Sequence, residues 1–100
     1  MKRIALGLLA AWVLWAEVRI GRDNEIRAMD SYETRTECEA DMGQRRDQFV
    51  RDFQSTTSYK MPGWYVREIG ERGVWLERPG TRQEAFIVFT CLPPGTSPRG

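Results

Sequence analysis

The sequence predicts an α+β domain: an antiparallel sheet of four or five strands with one long helix packed on one face. Three observations carry this prediction. Residues 32–53 form the only stretch with a long, capped helical pattern, runs with strand character lie on both sides of it, and glycine- or proline-bearing turns separate those runs closely enough for hairpins. The order is therefore ββ-α-βββ. With 100 residues there is room for one domain and one modest core. The expected division is a signal peptide over residues 1–11, with 1–16 as the alternative, a single α+β domain over 12–92, and an extended or disordered tail over 93–100.

Met1, Lys2 and Arg3 form a short basic start, and an apolar run follows from Ile4, which is the pattern of an export signal. The uncharged stretch from Ile4 to Ala16 is 13 residues long, short of the ~20 that cross a bilayer as a helix. No stable membrane anchor is expected. No cysteine stands near its end to accept a lipid. Cleavage after Ala16 leaves Leu14 at the −3 position; cleavage after Ala11 leaves Leu9 there but preserves the strand that follows, and is preferred. The competing reading is a cytosolic protein whose first twenty residues form a buried element.

From Trp12 to Ile20 the residues alternate. Trp12, Leu14, Ala16, Val18 and Ile20 form an apolar set that should face the helix, while Val13, Trp15, Glu17 and Arg19 point away. Residues 21–24, Gly-Arg-Asp-Asn, supply a turn, and residues 25–32 return as a weaker strand. Thr34 is the predicted helix N-cap, because Glu37 stands three residues on as in a capping box. Cys38, Met42, Phe49 and Phe53 then fall on one helical stripe, which must be buried. Arg35, Glu39, Arg46 and Asp47 lie largely off it and should be solvated, and Gly43 is a weak point in the helix interior.

Residues 54–63 are small and polar and end in Pro62 and Gly63, so they read as a connecting loop. Residues 64–69 and 74–77 are short strands around a glycine-bracketed turn at 70–73. Residues 78–82 turn again. Residues 84–92, EAFIVFTCL, are rich in aromatic and β-branched residues and uncharged after Glu84, which predicts a strand near the sheet centre. The tail, with Pro93, Pro94 and Pro98, cannot continue a strand or helix.

Composition narrows the chemistry. The chain has 15 basic and 14 acidic residues, and losing Lys2 and Arg3 with a leader leaves 13 against 14, so there is no general attraction to nucleic acid or anionic membrane. There is no histidine, which removes the commonest general base and transition-metal ligand. No phosphate-binding glycine loop or nucleophile elbow is present. The expectation is a non-enzymatic protein with no cofactor and no metal.

Cys38 and Cys91 are 53 positions apart and form neither a C-x-x-C redox pair nor, without histidine, an ordinary zinc site. In an exported chain they are most simply one disulfide joining helix to sheet. A reactive thiol at the helix N-terminus and two reduced cysteines in a cytosolic protein are the other readings. Glu37, Asp41 and Arg45 recur four apart, which more simply makes a solvated edge with ion pairs than an acid–base pair.

The four tryptophans point to a surface. If Cys91 faces the helix, so do Ile87 and Phe89; if Val74 and Leu76 face in, Trp75 faces out. The helix-free face would then carry Trp15, Trp75, Phe86 and Val88, a large apolar patch to leave wet. These four are the candidate contact residues, with self-association or an unknown protein as the partner. The structural alternative is that another segment, the N-terminal hairpin or the loop at 54–63, folds across and buries them. A second functional reading is a carbohydrate-active or hydrolase-like site using Glu17 or Glu77 beside the tryptophans; two carboxylates within ~10 Å would favour it, and a flat, self-complementary face would favour assembly.

Three signatures, Trp12-Val-Leu-Trp15-x-Glu17, Tyr32-Glu-Thr34-x-x-Glu37-Cys38-Glu39 and Cys91-Leu-Pro93 with Pro98-Arg-Gly100, together resemble a widespread group of short exported bacterial proteins of unknown function. The likeness covers both ends and the helix start but not the middle, and the leader is shorter than is usual for the group. It implies export to the periplasm or beyond and a mature domain that starts at the WVLW segment, and it carries over no functional residues.

Overall fold

Alternation along residues 12–20, a capped helix from Thr34, and a β-rich run at 84–92 organise the chain as the sequence predicts. The computed structural model describes residues 11–60 and 63–98, with the side chains of 56–60 excepted. Its elements are β1 (Trp12–Ile20), β2 (Asp23–Tyr32), α1 (Arg35–Lys60), β3 (Tyr65–Ile69), β4 (Gly73–Glu77) and β5 (Glu84–Leu92). The strands form one antiparallel sheet in the order β2-β1-β5-β4-β3, with α1 on one face. β5, the most strand-like segment of the sequence, is the central strand.

The start of α1 is set by Thr34, whose Oγ1 accepts the Glu37 N–H at 3.1 Å while its carbonyl accepts the Cys38 N–H at 3.2 Å. Its end differs from expectation. The helix runs on through Lys60, so most of the loop expected at 54–63 is helical. Residues 54–60 contain no glycine or proline, and once three turns are packed each further residue adds a hydrogen bond at little nucleation cost. At 26 residues α1 is about 39 Å long, against about 30 Å for the longest strands.

Two apolar clusters lie under it. Beneath its first half Leu14, Ala16, Cys38, Met42 and Phe89 pack together; beneath its second half Phe53 packs with Val74, Leu76 and Ala85. Leu14, Cys38 and Val74 are fully enclosed, and burying side chains like Leu14 and Val74 stabilises by about 2 kcal/mol each. The Cys38–Cys91 disulfide crosses the first cluster with a Cα–Cα distance of 6.1 Å, tying the first turns of the helix to the central strand. The predicted inward set of β1 holds only in part. Ile20 lies on the helix side by alternation but is 45% exposed, although Ala85, its partner across on β5, belongs to the second cluster.

Both sheet edges carry a bulge. In β2, Leu14 pairs with Asp30 and Trp15 with Ala28, which leaves Met29 as the extra residue; in β3, Val66 pairs with Leu76 and Glu68 with Trp75, which leaves Arg67. With Asp23, Glu25 and Arg27 on one edge and Arg67 and Glu68 on the other, neither offers a long, flat template for adding a strand.

Candidate functional site

The sheet register assigns every outward residue of the helix-free face. Arg19, Phe86 and Trp75 form one row across β1, β5 and β4. Glu17, Val88 and Gly73 form the next, then Trp15 and Thr90, then Val13 and Leu92. β2 extends these rows with Asn24, Ile26, Ala28 and Ser31. The four predicted contact residues, Trp15, Trp75, Phe86 and Val88, are thus together on one face.

They are not left wet. All four are half-buried, and Val13, expected to point outward with Trp15, is buried. Two local contacts flatten the surface. The indole of Trp75 lies against its own hairpin turn, so near that a Cβ built on Gly70 or Gly73 would stand 3.0 or 3.1 Å from its ring. A Cβ at Gly73 would also come within 2.8 Å of the Ile87 carbonyl oxygen, so no other residue fits there without a backbone shift. Arg19 lies over the Phe86 ring, its guanidinium carbon 5.8 Å from the centroid. Among the described residues, the large apolar side chains that are well exposed are Ile20, Met29, Tyr65 and Ile69, at strand ends and on the two edge strands. Alternation named the face correctly, but the lie of each ring along it depends on cross-strand neighbours. The glycine bracket at 70–73 was the available signal for Trp75.

Polar groups on this face fall into two kinds. Glu77 is engaged at the rim, accepting from the Tyr65 hydroxyl at 3.1 Å with the Arg67 Nε at 3.8 Å. Glu17, in the middle of the face between Ile26 and Val88, has no hydrogen bond or ion pair to a described residue. The Trp15 Nε1–H beside it is buried and finds no acceptor among the described residues, an arrangement that costs about 1–3 kcal/mol. Glu17 and Glu77 are separated by two strands and two outward rows, roughly 16 Å between Cα atoms.

On the helix side, Asp41 accepts from the Tyr32 hydroxyl and from Arg45 Nε at 3.1 Å, and Arg45 reaches Asp30 at 3.4 Å. Burial, and next the hydrogen bond to Asp41, push the Tyr32 hydroxyl pKa well above its usual value. Glu37 takes no part in this group, which clamps α1 to β2 rather than opening a cleft. Arg46, expected in solvent, is instead half-buried and donates to the carbonyls of Gly70 and Glu71 at 3.4 and 2.8 Å, holding the β3–β4 turn against the helix. Next to it lies a polar recess of about 340 Å³, lined by three arginines, two glutamates, Met42 and Gly43.

Among the described residues no group of three or more cysteine, aspartate or glutamate side chains could hold a metal ion, and no helix is long and apolar enough to cross a membrane. No known protein family, curated protein or solved structure matches this chain.

Proposed function

We propose that this is an exported, non-enzymatic domain, stapled by one disulfide, that works by binding or assembly through the helix-free face of its sheet. The observation that carries the reading is the row arrangement itself: an apolar band from Val13 and Trp15 through Val88 to Phe86 and Trp75, with Glu17 and Thr90 set in it, flattened by the bed of Gly70 and Gly73, on the face opposite α1. Aromatic anchors in a flat, half-buried patch are what interfaces concentrate at their centres. The disulfide between Cys38 and Cys91 suits an oxidising compartment and thus export. Release of the leader after Ala11 fits the fold better than release after Ala16, since β1 pairs on both sides and contributes Leu14 and Ala16 to the core.

The carbohydrate-active reading gains less support, because the separation of Glu17 from Glu77 exceeds the ~5–10 Å over which two carboxylates act on one glycosidic bond. The test of the contact face is site-specific photocrosslinking in living cells. A benzophenone side chain at Thr90, on the proposed face, is expected to give adducts, and one at Gln48, on the exposed side of α1, none; adducts from Gln48 alone would overturn the reading. Intact-mass measurement of envelope protein checks export, with an N-terminus at Trp12 expected and an unprocessed Met1 counting against it.

A further inference from the structure

We propose that the recess between the first half of α1 and the β3–β4 turn binds a small zwitterion, a free α-amino acid or a short peptide whose ammonium and carboxylate it holds at once. The site lies on the helix side of the sheet, so it goes beyond the contact-face reading above and does not depend on it.

Pairing within the protein decides what the recess can offer a ligand. One wall is the stripe of α1 that carries Arg35, Glu39 and Arg46, and the other is the turn that carries Glu71 and Arg72. Arg35 Nε donates to Glu39 at 2.9 Å. Arg46 uses its Nε on Asp47 at 3.0 Å and its Nη1 on the carbonyls of Gly70 and Glu71. The side chains of Glu71 and Arg72 make no hydrogen bond or ion pair to each other or to another described residue. One cation and one anion are therefore unused in the same cavity. A ligand with both a carboxylate and an ammonium answers the two together, whereas a simple anion would meet the Glu39 and Glu71 carboxylates and a simple cation would meet three guanidinium groups.

The floor is the buried Met42 and its neighbour Gly43. Glycine inside a helix destabilises it relative to alanine, and the fold does not require one at this position. Its φ is not positive, and an added Cβ meets only Arg46 Nη2, at 3.9 Å. A larger side chain would stand in the recess, so the glycine keeps the floor open for a ligand to approach the helix backbone beside Met42.

The walls are set in advance. Arg46 ties the turn to the helix, the Gly70 N–H closes the turn on the Gly73 carbonyl at 2.8 Å, and the Phe89 N–H holds the Arg72 carbonyl to β5 at 2.7 Å. The bridge from Cys38, between Arg35 and Glu39, anchors the helix wall to the same strand. A site held in this way loses little freedom on binding. Its volume of about 340 Å³ is at the small end of ligand sites, which suits amino acids and short peptides rather than large cofactors.

The experiment is an amide-detected NMR titration of the full oxidised chain with Ala-Ala, L-alanine, N-acetyl-Ala-Ala and Ala-Ala amide. Ala-Ala or L-alanine is expected to give saturable shifts at the amides of Gly43, Arg46, Glu71 and Arg72 at millimolar concentration, the affinity within reach of so few atoms. Capping either end should weaken binding at least about tenfold, since one charge-assisted contact is lost. Glu71→Gln and Arg72→Gln should each weaken Ala-Ala by about the same factor. Arg72→Gln should then no longer distinguish Ala-Ala from its amide, nor Glu71→Gln distinguish it from the acetylated form. Gly43→Leu should abolish the shifts with its thermal melt intact; if it melts early, Gly43→Ala takes its place and should weaken binding while raising Tm. Tighter binding of L-alanine would assign the recess to free amino acids and tighter binding of Ala-Ala to peptides, and either supports the proposal. No saturable shift from either probe, equal shifts from capped and uncapped probes, or binding indifferent to the Gly43 variants would overturn it, and each would leave the crosslinking test of the contact face untouched.

Discussion

Opening the Cys38–Cys91 bridge should remove much of this domain's stability. The perturbation is the pair Cys38→Ala and Cys91→Ala, compared with wild-type protein held oxidised. The bridge closes a loop of 53 positions, and the chain-entropy relation gives about 4 kcal/mol for that length, lost because the unfolded chain regains the freedom to open. Local packing adds to it. Cys38 is fully enclosed among Leu14, Ala16, Met42 and Phe89, so removing its sulfur also leaves a small void, worth about 1 kcal/mol. A loss near 5 kcal/mol is a large share of the ~5–15 kcal/mol available to a small domain, and it corresponds to a fall in Tm of roughly 20–40 °C. Thermal melts followed by far-UV circular dichroism, with and without reductant and in the double variant, measure this directly. Urea unfolding adds a second reading, since the cross-linked unfolded chain is more compact and the oxidised protein should show the smaller m-value. Melting temperatures that agree within a few degrees would refute the reasoning, because the bridge would then constrain an unfolded state already held together by something else.

Three further outcomes follow from single contacts. Gly43→Ala should stabilise by up to about 1 kcal/mol, since the glycine is in the helix interior and the added Cβ meets only an Arg46 terminal nitrogen at 3.9 Å; a lower Tm would indicate that the recess beside it needs the open backbone. Trp75→Ala should cost about 2–3 kcal/mol in urea unfolding, because its ring covers Gly70 and Gly73, and a neutral result would mean that the ring does not lie on its hairpin. Because the folded pKa of Tyr32 is raised above its unfolded value, the stability it confers is fully present below about pH 10 and is lost as pH rises through the folded pKa. Tyr32→Phe should therefore lower stability near neutral pH and flatten its fall above about pH 10, measured by urea midpoints at several pH values; an unchanged alkaline slope would assign that fall to other groups.

Much of the candidate surface was legible before any tertiary information, because side-chain direction in a strand is a local property of period two. Leu14 against Trp15, Val74 against Trp75, and Phe89 against Val88 sort to opposite faces by counting alone, and the structure keeps that sorting. The helix start is equally local, since the Thr34 hydroxyl and the Glu37 N–H lie within one turn. The helix end was not legible, because residues 54–60 are weak formers whose state depends on the turns packed before them.

What the sequence by itself determined, then, is the set of elements and the face that each residue of β1, β4 and β5 takes, with the two cysteines most simply read as one bridge: each follows from spacing along the chain or from the residue types. Only the tertiary structure decided the order β2-β1-β5-β4-β3, the extra residues Met29 and Arg67, the exposure of Ile20, the engagement of Arg46 with the β3–β4 turn, and the flattening of Trp75 onto two glycines. The physical reason is that pairing energies between strands distant in sequence are nearly alike for several orders, so the choice among them rests on how the whole face packs under one helix. Whether an outward aromatic stands up or lies down is settled by the residue across the strand, which is close in space and far, or unpredictably placed, along the chain.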